Sequence, residues 1–284
     1  MKIIKYINNS KLIQEEDNRY IIKKRKVDIK DIYSKLHNRG FNNFIYPIEI
    51  TKDKEKYPYI ESLNIDDNNK SKDIIYLSSL LHTKTTVFEE KNEDNIKERY
   101  ENIVKELDYK YNYYLKLQDE IEEHIYMSPE ELLLMNNISK IYLMIRISRD
   151  NIEKYLKEMD NKSNERKSII HGNLSLDHII ESDKKYLISW NKSKQDIPVY
   201  DLVIFYKKEF EKIEINSLYK EYLSKYQYND SEKYLFFSLI NIPDILHFNN
   251  THFINTLNTR KLVNYLDKTI EFTLEQNKEN QETN

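Results

Sequence analysis

The stretch IIHGNLSLDHII, residues 169–180, and the run KYLISW, residues 185–190, hold the side chains with most chemical potential. His171, Asp177 and His178 offer two imidazoles and one carboxylate, with the small polar residues Asn173 and Ser189 set among apolar neighbours. Imidazole titrates near neutrality and can move protons. His171, Asp177 and His178 together could ligate a transition metal, but this spacing is unspecific for one. An amide such as Asn173 is neutral and is no useful general base. Magnesium wants oxygen ligands in tight octahedral geometry, so His178 suits it poorly. Lys192 and Lys194 follow Ser189 and bring positive charge. Lys23 and Lys24 close the strand-like run RYIIKK. Lys23 there is a candidate anion or nucleotide contact; the plainer reading is an exposed strand lysine.

Composition removes several other chemistries. Cysteine is absent, which excludes disulfides, thiolate metal sites and thiol nucleophiles. Glycine occurs only at Gly40 and Gly172, so neither a G-x-G-x-x-G loop nor a Walker loop can be built. The 45 Lys and Arg nearly balance 48 Asp and Glu, for a formal net charge of -3, without the basic excess of a nucleic-acid binder. No apolar run is long enough to span a membrane, and MKIIKYINNS lacks a signal-peptide core. A cytoplasmic location is the expectation. Alanine is missing while Tyr reaches 24, and Ile, Asn and Lys are abundant, a bias that AT-rich codons would produce.

The elements that must position these residues follow from periodicity. KIIKYI (2–7), KLIQEE (11–16) and RYIIKK (19–24) read as strands broken by turn residues. DIKDIYSKLHNRGF reads as a helix started by Asp28 or Asp31 and capped by Gly40. NFIYPIEIT and YPYIESLNI read as two further strands, with Pro47 and Pro58 at turns or edges. Residues 94–126 carry apolar residues at three- and four-residue steps, from Ile96 to Ile125. The stripe is broad and drifts from strict heptads, so packing within a helical lobe is expected rather than a coiled coil. The Tyr-rich part, 109–114, reads as a packed face. Ser128, Pro129 and Glu131 start a new helix with a capping box, expected to run to about Met159. Helices follow from about 199 to 276, and NKENQETN, residues 277–284, is expected to be disordered.

The ordered set His171-Gly172-Asn173, His178, Ile188-Ser189-Trp190 and Pro198-x-Tyr200-Asp201-Leu202 resembles the H-G-D-x-x-x-x-N, I-D-W and P-x-Y-D-L frame of aminoglycoside- and choline-type small-molecule kinases. RYIIKK resembles the strand bearing their phosphate-binding lysine, YPYIESLNI sits where their inter-lobe hinge belongs, and LSSLLHTKT resembles their L-A-x-L-H helix. YKYNYYLKLQDEI and SEKYLFFSLINIPDILHF resemble segments of the spore-coat kinase-like branch. The resemblance touches most of the chain at low identity. It implies a two-lobe α+β protein-kinase-like fold, with a small β-rich N-lobe over 1–62 and a helical C-lobe over 63–276.

Against that frame, Asn173 stands at the catalytic Asp, His178 at the metal-binding Asn and Ser189 at the second metal-binding Asp. The resemblance implies structural roles for His171 and Asp201 in ordering the loop. The helix after the lysine strand offers Asp31 and no Glu for the usual lysine partner. No carboxylate stands where such kinases supply two. The expectation is therefore a pseudokinase with no bound metal and a regulatory, scaffolding or ligand-sensing role, whose partner is a protein or small molecule. The competing reading is a divergent phosphotransferase using ATP and magnesium, rerouted through Asp177, Asp183 or Asp196, with Lys192 and Lys194 sharing the metal's charge. A third is a structural helical protein in which the similarity is accidental.

Overall fold

The structure is a computed structural model that describes residues 2–7, 10–25 and 27–282. The chain forms two compact units. One takes the chain up to Phe88 together with Arg166–Gln227; the other takes Glu89–Glu165 and the chain from Tyr228 onward.

The first unit begins with strands β1 (Lys2–Ile7), β2 (Ser10–Glu15) and β3 (Asn18–Lys24). Helix α1 (Lys30–Asn38) follows, then β4 (Glu49–Ile50) and β5 (Lys54–Pro58). The five strands form an antiparallel sheet in the order β1-β2-β3-β5-β4. Gly40 ends α1 at φ 72. Its N–H donates to the His37 carbonyl and that of Phe41 to Leu36, both at 2.9 Å, a Schellman cap that needs the left-handed residue at Gly40. Two expected strands are shorter than their β-prone sequences. NFIYPIEIT joins the five-stranded sheet at Glu49–Ile50, and Phe44 makes a separate parallel bridge to Leu187; between them Pro47 has no N–H to lend a ladder. YPYIESLNI leaves the sheet at Pro58 and continues as the link to α2 (Asp67–Thr85), which Asp66 caps by accepting from the Asn69 N–H at 2.9 Å.

Strand β6 (Val87–Glu90) leads the chain into the second unit and β7 (Asn164–Ile170) brings it back. In the second unit, α3 (Glu93–Glu122), α4 (Pro129–Met135) and α5 (Ile138–Asp160) pack with two later helices. The Ser128–Glu131 capping box is present. The single helix expected from 129 to about 159 is instead broken at Asn136–Asn137. The Asn137 side chain donates to the Leu133 carbonyl at 2.8 Å and closes α4, a local bond that competes with helix continuation.

Returning to the first unit, β8 (Ile179–Glu181) and β9 (Lys185–Leu187) form a hairpin. β10 (Lys194–Asp196) pairs antiparallel with β7. α6 (Val199–Glu209) and α7 (Ile215–Lys225) complete the unit, α7 packing on α2. The second unit then receives α8 (Asp230–Ile240), which packs on α5, and α9 (His252–Glu282), which packs on α4 and α5. The backbone is helical through 277–282, where an unstructured tail was expected; 283 and 284 lie outside the described residues.

The N-terminal sheet and α1 are tied to the β8–β9 hairpin within the first unit. The Leu187 N–H donates to the Asn43 carbonyl at 2.8 Å and the Leu63 N–H to the Glu181 carbonyl at 2.7 Å. Aromatic packing reinforces this link. Phe41 and Phe44 meet Trp190 with centroids at 5.9 and 6.2 Å, and Tyr33 stacks on Phe44 at 5.1 Å. Among the described residues, no helix is long and apolar enough to cross a membrane.

Candidate functional site

β7 is buried at its C-terminal end, where Ser168, Ile169 and Ile170 deliver His171. Gly172 follows at φ 71, and a Cβ there would collide with the Lys192 carbonyl. Only glycine satisfies both conditions, which accounts for one of the chain's two glycines.

Asp201, in the first turn of α6 and fully buried, organises this turn. Its Oδ2 accepts from the His171 N–H and its Oδ1 from the Gly172 N–H, both at 2.7 Å. His82 of α2 meets Oδ2 through Nε2 at 3.1 Å and the Tyr222 hydroxyl through Nδ1 at 2.6 Å. Burial opposes ionisation of Asp201, but the His82 hydrogen bond and the neighbouring imidazoles outweigh it and hold the carboxyl below its ordinary range. His171 is equally buried. Its ring meets the Ile188 carbonyl through Nε2 at 2.8 Å and stands edge-on to Trp190 at 4.8 Å. Nδ1 is buried with no hydrogen-bond partner. Burial pushes the His171 pKa down to about 4, so the ring is neutral at pH 7.

Asn173 and His178 face each other. His178 Nδ1 donates to the Asn173 backbone carbonyl at 2.6 Å and lies 3.4 Å from the amide nitrogen of the same residue. Burial, then the positive charges of Lys208 and Lys23, hold the His178 pKa down, against its bond to Asn173 and the charge of Asp177. Ser189 caps the short turn Trp190–Lys192 at φ 71, ψ 47, a left-handed conformation uncommon outside glycine. Lys23 lies opposite Glu55 of the neighbouring strand, with its ammonium 5.5 Å from the Tyr57 ring centroid. Burial lowers the Lys23 pKa and Glu55 opposes the shift. The acidic neighbour of Lys23 therefore comes from β5 rather than from α1, where Asp31 was the candidate.

Lys208 belongs to the site and was missed in the sequence. It lies two helical turns beyond Asp201, on the same face of α6, and that spacing was the available signal. Its ammonium donates to Asn173 Oδ1 at 2.8 Å and to the carbonyls of Asn173 and Leu174, both at 3.3 Å. Burial and then the nearby charge of Lys192 lower its pKa. Glu209 was missed as well; its Oε1 accepts from the Leu176 N–H at 3.1 Å. Of the acids considered for rerouting, Asp183 is bound by the Ser182 hydroxyl at 2.7 Å, and Asp196 pairs with Lys194 at 2.6 Å. Asp177 is exposed.

These residues do not fit magnesium. The Asn173 amide oxygen is engaged by an ammonium, and His178 Nδ1 is spent on a carbonyl. Among the described residues, no three His, Asp or Glu side chains converge on a point that could hold a metal. The Lys208 ammonium already stands at the Asn173 side-chain oxygen.

No family model matches the sequence, and no curated protein does. Solved structures do match. An aminoglycoside phosphotransferase from Alicyclobacillus acidocaldarius superposes with a TM-score of 0.70 at 10% identity, over 97% of this chain and 93% of that one. The chain shares the fold of that phosphotransferase. A spectinomycin phosphotransferase in complex with ADP and spectinomycin matches at a TM-score of 0.53 and 13% identity, over 96% and 92% of the two chains. A glucosamine kinase in complex with glucosamine, ADP and inorganic phosphate matches at 0.56 and 10%, over 97% and 81%. At such identities, likeness to aminoglycoside phosphotransferases carries the fold, and the site's own residues must carry the chemistry.

Proposed function

We propose that the chain is a catalytically inactive kinase-like protein that uses its loop region in a regulatory, scaffolding or ligand-sensing role, with a small molecule or a protein as partner. The observation that supports this most is Lys208 on Asn173. Phosphoryl transfer needs a carboxylate to take the hydroxyl proton and oxygen ligands to hold the metal against the phosphates. Here an amide takes the first position and its oxygen is committed to an ammonium at 2.8 Å. His178 and Ser189 supply no negative charge. A base or ligand displaced from its working position loses orders of magnitude in rate.

The test is ATP consumption by the purified full chain with magnesium or manganese, across aminoglycoside, choline and protein acceptors. The expected result is no release of ADP above the protein-free rate. Metal-dependent consumption that disappears on Asp177→Ala would overturn the reading. It would favour a divergent phosphotransferase, the one alternative with an observation behind it: Asp177 is exposed and acts electrostatically on His178.

A further inference from the structure

We infer that the second unit carries a face on which two copies of this chain pair about a two-fold axis. Ile125, Tyr126 and Met127, which join α3 to α4, build one half of it; Phe253, Ile254 and Leu257, at the start of α9, build the other. The inference goes beyond the reading of the loop region and holds whether or not that loop transfers phosphate.

Two imidazole–carboxylate contacts bring the halves together. His124 Nδ1 meets Glu131 Oε1 at 3.2 Å, and His252 Nδ1 meets Glu130 Oε1 at 2.7 Å. Glu130 and Glu131 are consecutive in the first turn of α4, so the connecting segment and the start of α9 both border that turn. The apolar side chains next to the two imidazoles lie in solvent: Ile125 is 90% exposed, Tyr126 89% and Phe253 73%. On α9 the inner side is fixed by Asn255, Thr259 and Leu262, which are buried. Phe253, Leu257 and Arg260 follow one another at steps of four and three and share the opposite side. Packing within the chain therefore leaves this apolar run uncovered.

Area, composition and charge point to a second copy as the occupant. The six residues expose on the order of 800 Å² of surface, more than the roughly 300–600 Å² of a monomer's largest apolar patch and close to the ~800 Å² that each partner gives to a standard interface. Two aromatic rings and a methionine among branched aliphatics are the composition of an interface centre. Rim charges of opposite sign flank it. Glu123 precedes the connecting segment and Arg260 continues the α9 run; both are exposed, and among the described residues neither makes an ion pair. A two-fold axis sets Glu123 of each copy against Arg260 of the other, so the one patch is complementary to itself. The exposed carboxylates of Glu122 and Glu123 oppose docking on an anionic lipid surface.

Sedimentation equilibrium of the full chain over a range of concentrations tests this, and a reversible dimer is the expected result. Phe253→Asp and Tyr126→Asp should each raise the dimer Kd at least tenfold, with circular dichroism unchanged because both side chains already lie in solvent. Leu274→Asp is the control: it alters an exposed leucine of the same helix, about 30 Å along the axis from Phe253, and should dimerise as the parent does. Glu123→Arg and Arg260→Glu should each weaken the dimer severalfold, and the two together should restore it. If either Asp variant fails to fold, the charge-reversal pair still decides. Cosedimentation with phosphatidylcholine–phosphatidylglycerol vesicles should find no binding. A monomer at every concentration, a dimer that both Asp variants leave intact, a double charge variant that stays weakened, or vesicle binding that Phe253→Asp abolishes would each overturn the inference.

Discussion

Lys208 Nζ donates to Asn173 Oδ1 at 2.8 Å, so the loop amide is bound to an ammonium from α6. This pair predicts the effect of the simplest restoration. Asn173→Asp would turn a neutral contact into a salt bridge with an exposed lysine, a gain of at most ~1 kcal/mol. Chemical denaturation should show a slight stabilisation, and ATP turnover should stay at background because the new carboxylate is paired. Turnover restored by this change alone would mean that Lys208 releases it.

Restoring the whole donor set is a different experiment. Asn173→Asp, His178→Asn and Ser189→Asp together return two carboxylates and an amide to the loop. Ser189 already sits at φ 71, a conformation that Asp tolerates better than most residues. The triple variant should acquire a magnesium-dependent thermal shift with ADP that the parent lacks. At a ligand concentration near a hundred times its Kd, that shift corresponds to about 2.7 kcal/mol. A triple variant that folds and shows no metal response would place the obstacle elsewhere, with Lys208 the first suspect.

Gly172→Ala should be severely destabilising. The residue is at φ 71 and the added methyl would run into the Lys192 carbonyl. Left-handed strain contributes roughly 1–2 kcal/mol and the backbone collision adds more, so a loss of at least ~3 kcal/mol is expected in urea denaturation. Gly40→Ala is the comparison: it has the same φ of 72 but only the Lys84 ammonium at 3.6 Å, so it should pay the strain alone.

Stability should fall on mild acidification. His171 titrates in the native state at about 4, below its ordinary 6.5, because burial disfavours its cation. Between these values the unfolded chain binds a proton that the native chain refuses, so stability declines as pH drops from 6.5 to 4. The single-site loss is roughly 3 kcal/mol across that window. His178, also shifted downward, acts in the same sense, and exposed His252, raised by its bond to Glu130, acts in the opposite one. Asp201, whose pKa is also depressed, acts in the same sense as His171 at lower pH: its contribution is fully present above the unfolded carboxylate value and is lost as pH falls through the native one. Denaturation midpoints at pH 7 and 4.5 check this. His171→Gln should flatten the slope between them, whatever it costs in overall stability.

Much of the architecture was legible because it is written in short-range signals. The capping box of Ser128 and Glu131 spans three residues, the Gly40 cap needs one left-handed position, and the apolar stripe of α3 recurs within each turn. Backbone sterics and local hydrogen bonds decide such features, so they survive in the sequence. The order His171-Gly172-Asn173, Ser189-Trp190, Asp201 is likewise a linear pattern, and it pointed to the fold. What occupies the site could not be read that way. Lys208 reaches Asn173 only because α6 packs beside the loop, His82 reaches Asp201 from α2, and Glu55 comes to face Lys23 through strand pairing. Those partners are far apart in the chain and are selected by packing, where burial sets their charge state and a neighbour's charge can replace a ligand. The linear order of the loop and strand residues pointed to the kinase-like fold; tertiary packing alone decided that the Lys208 ammonium would meet Asn173, because that contact depends on how α6 lies beside the loop.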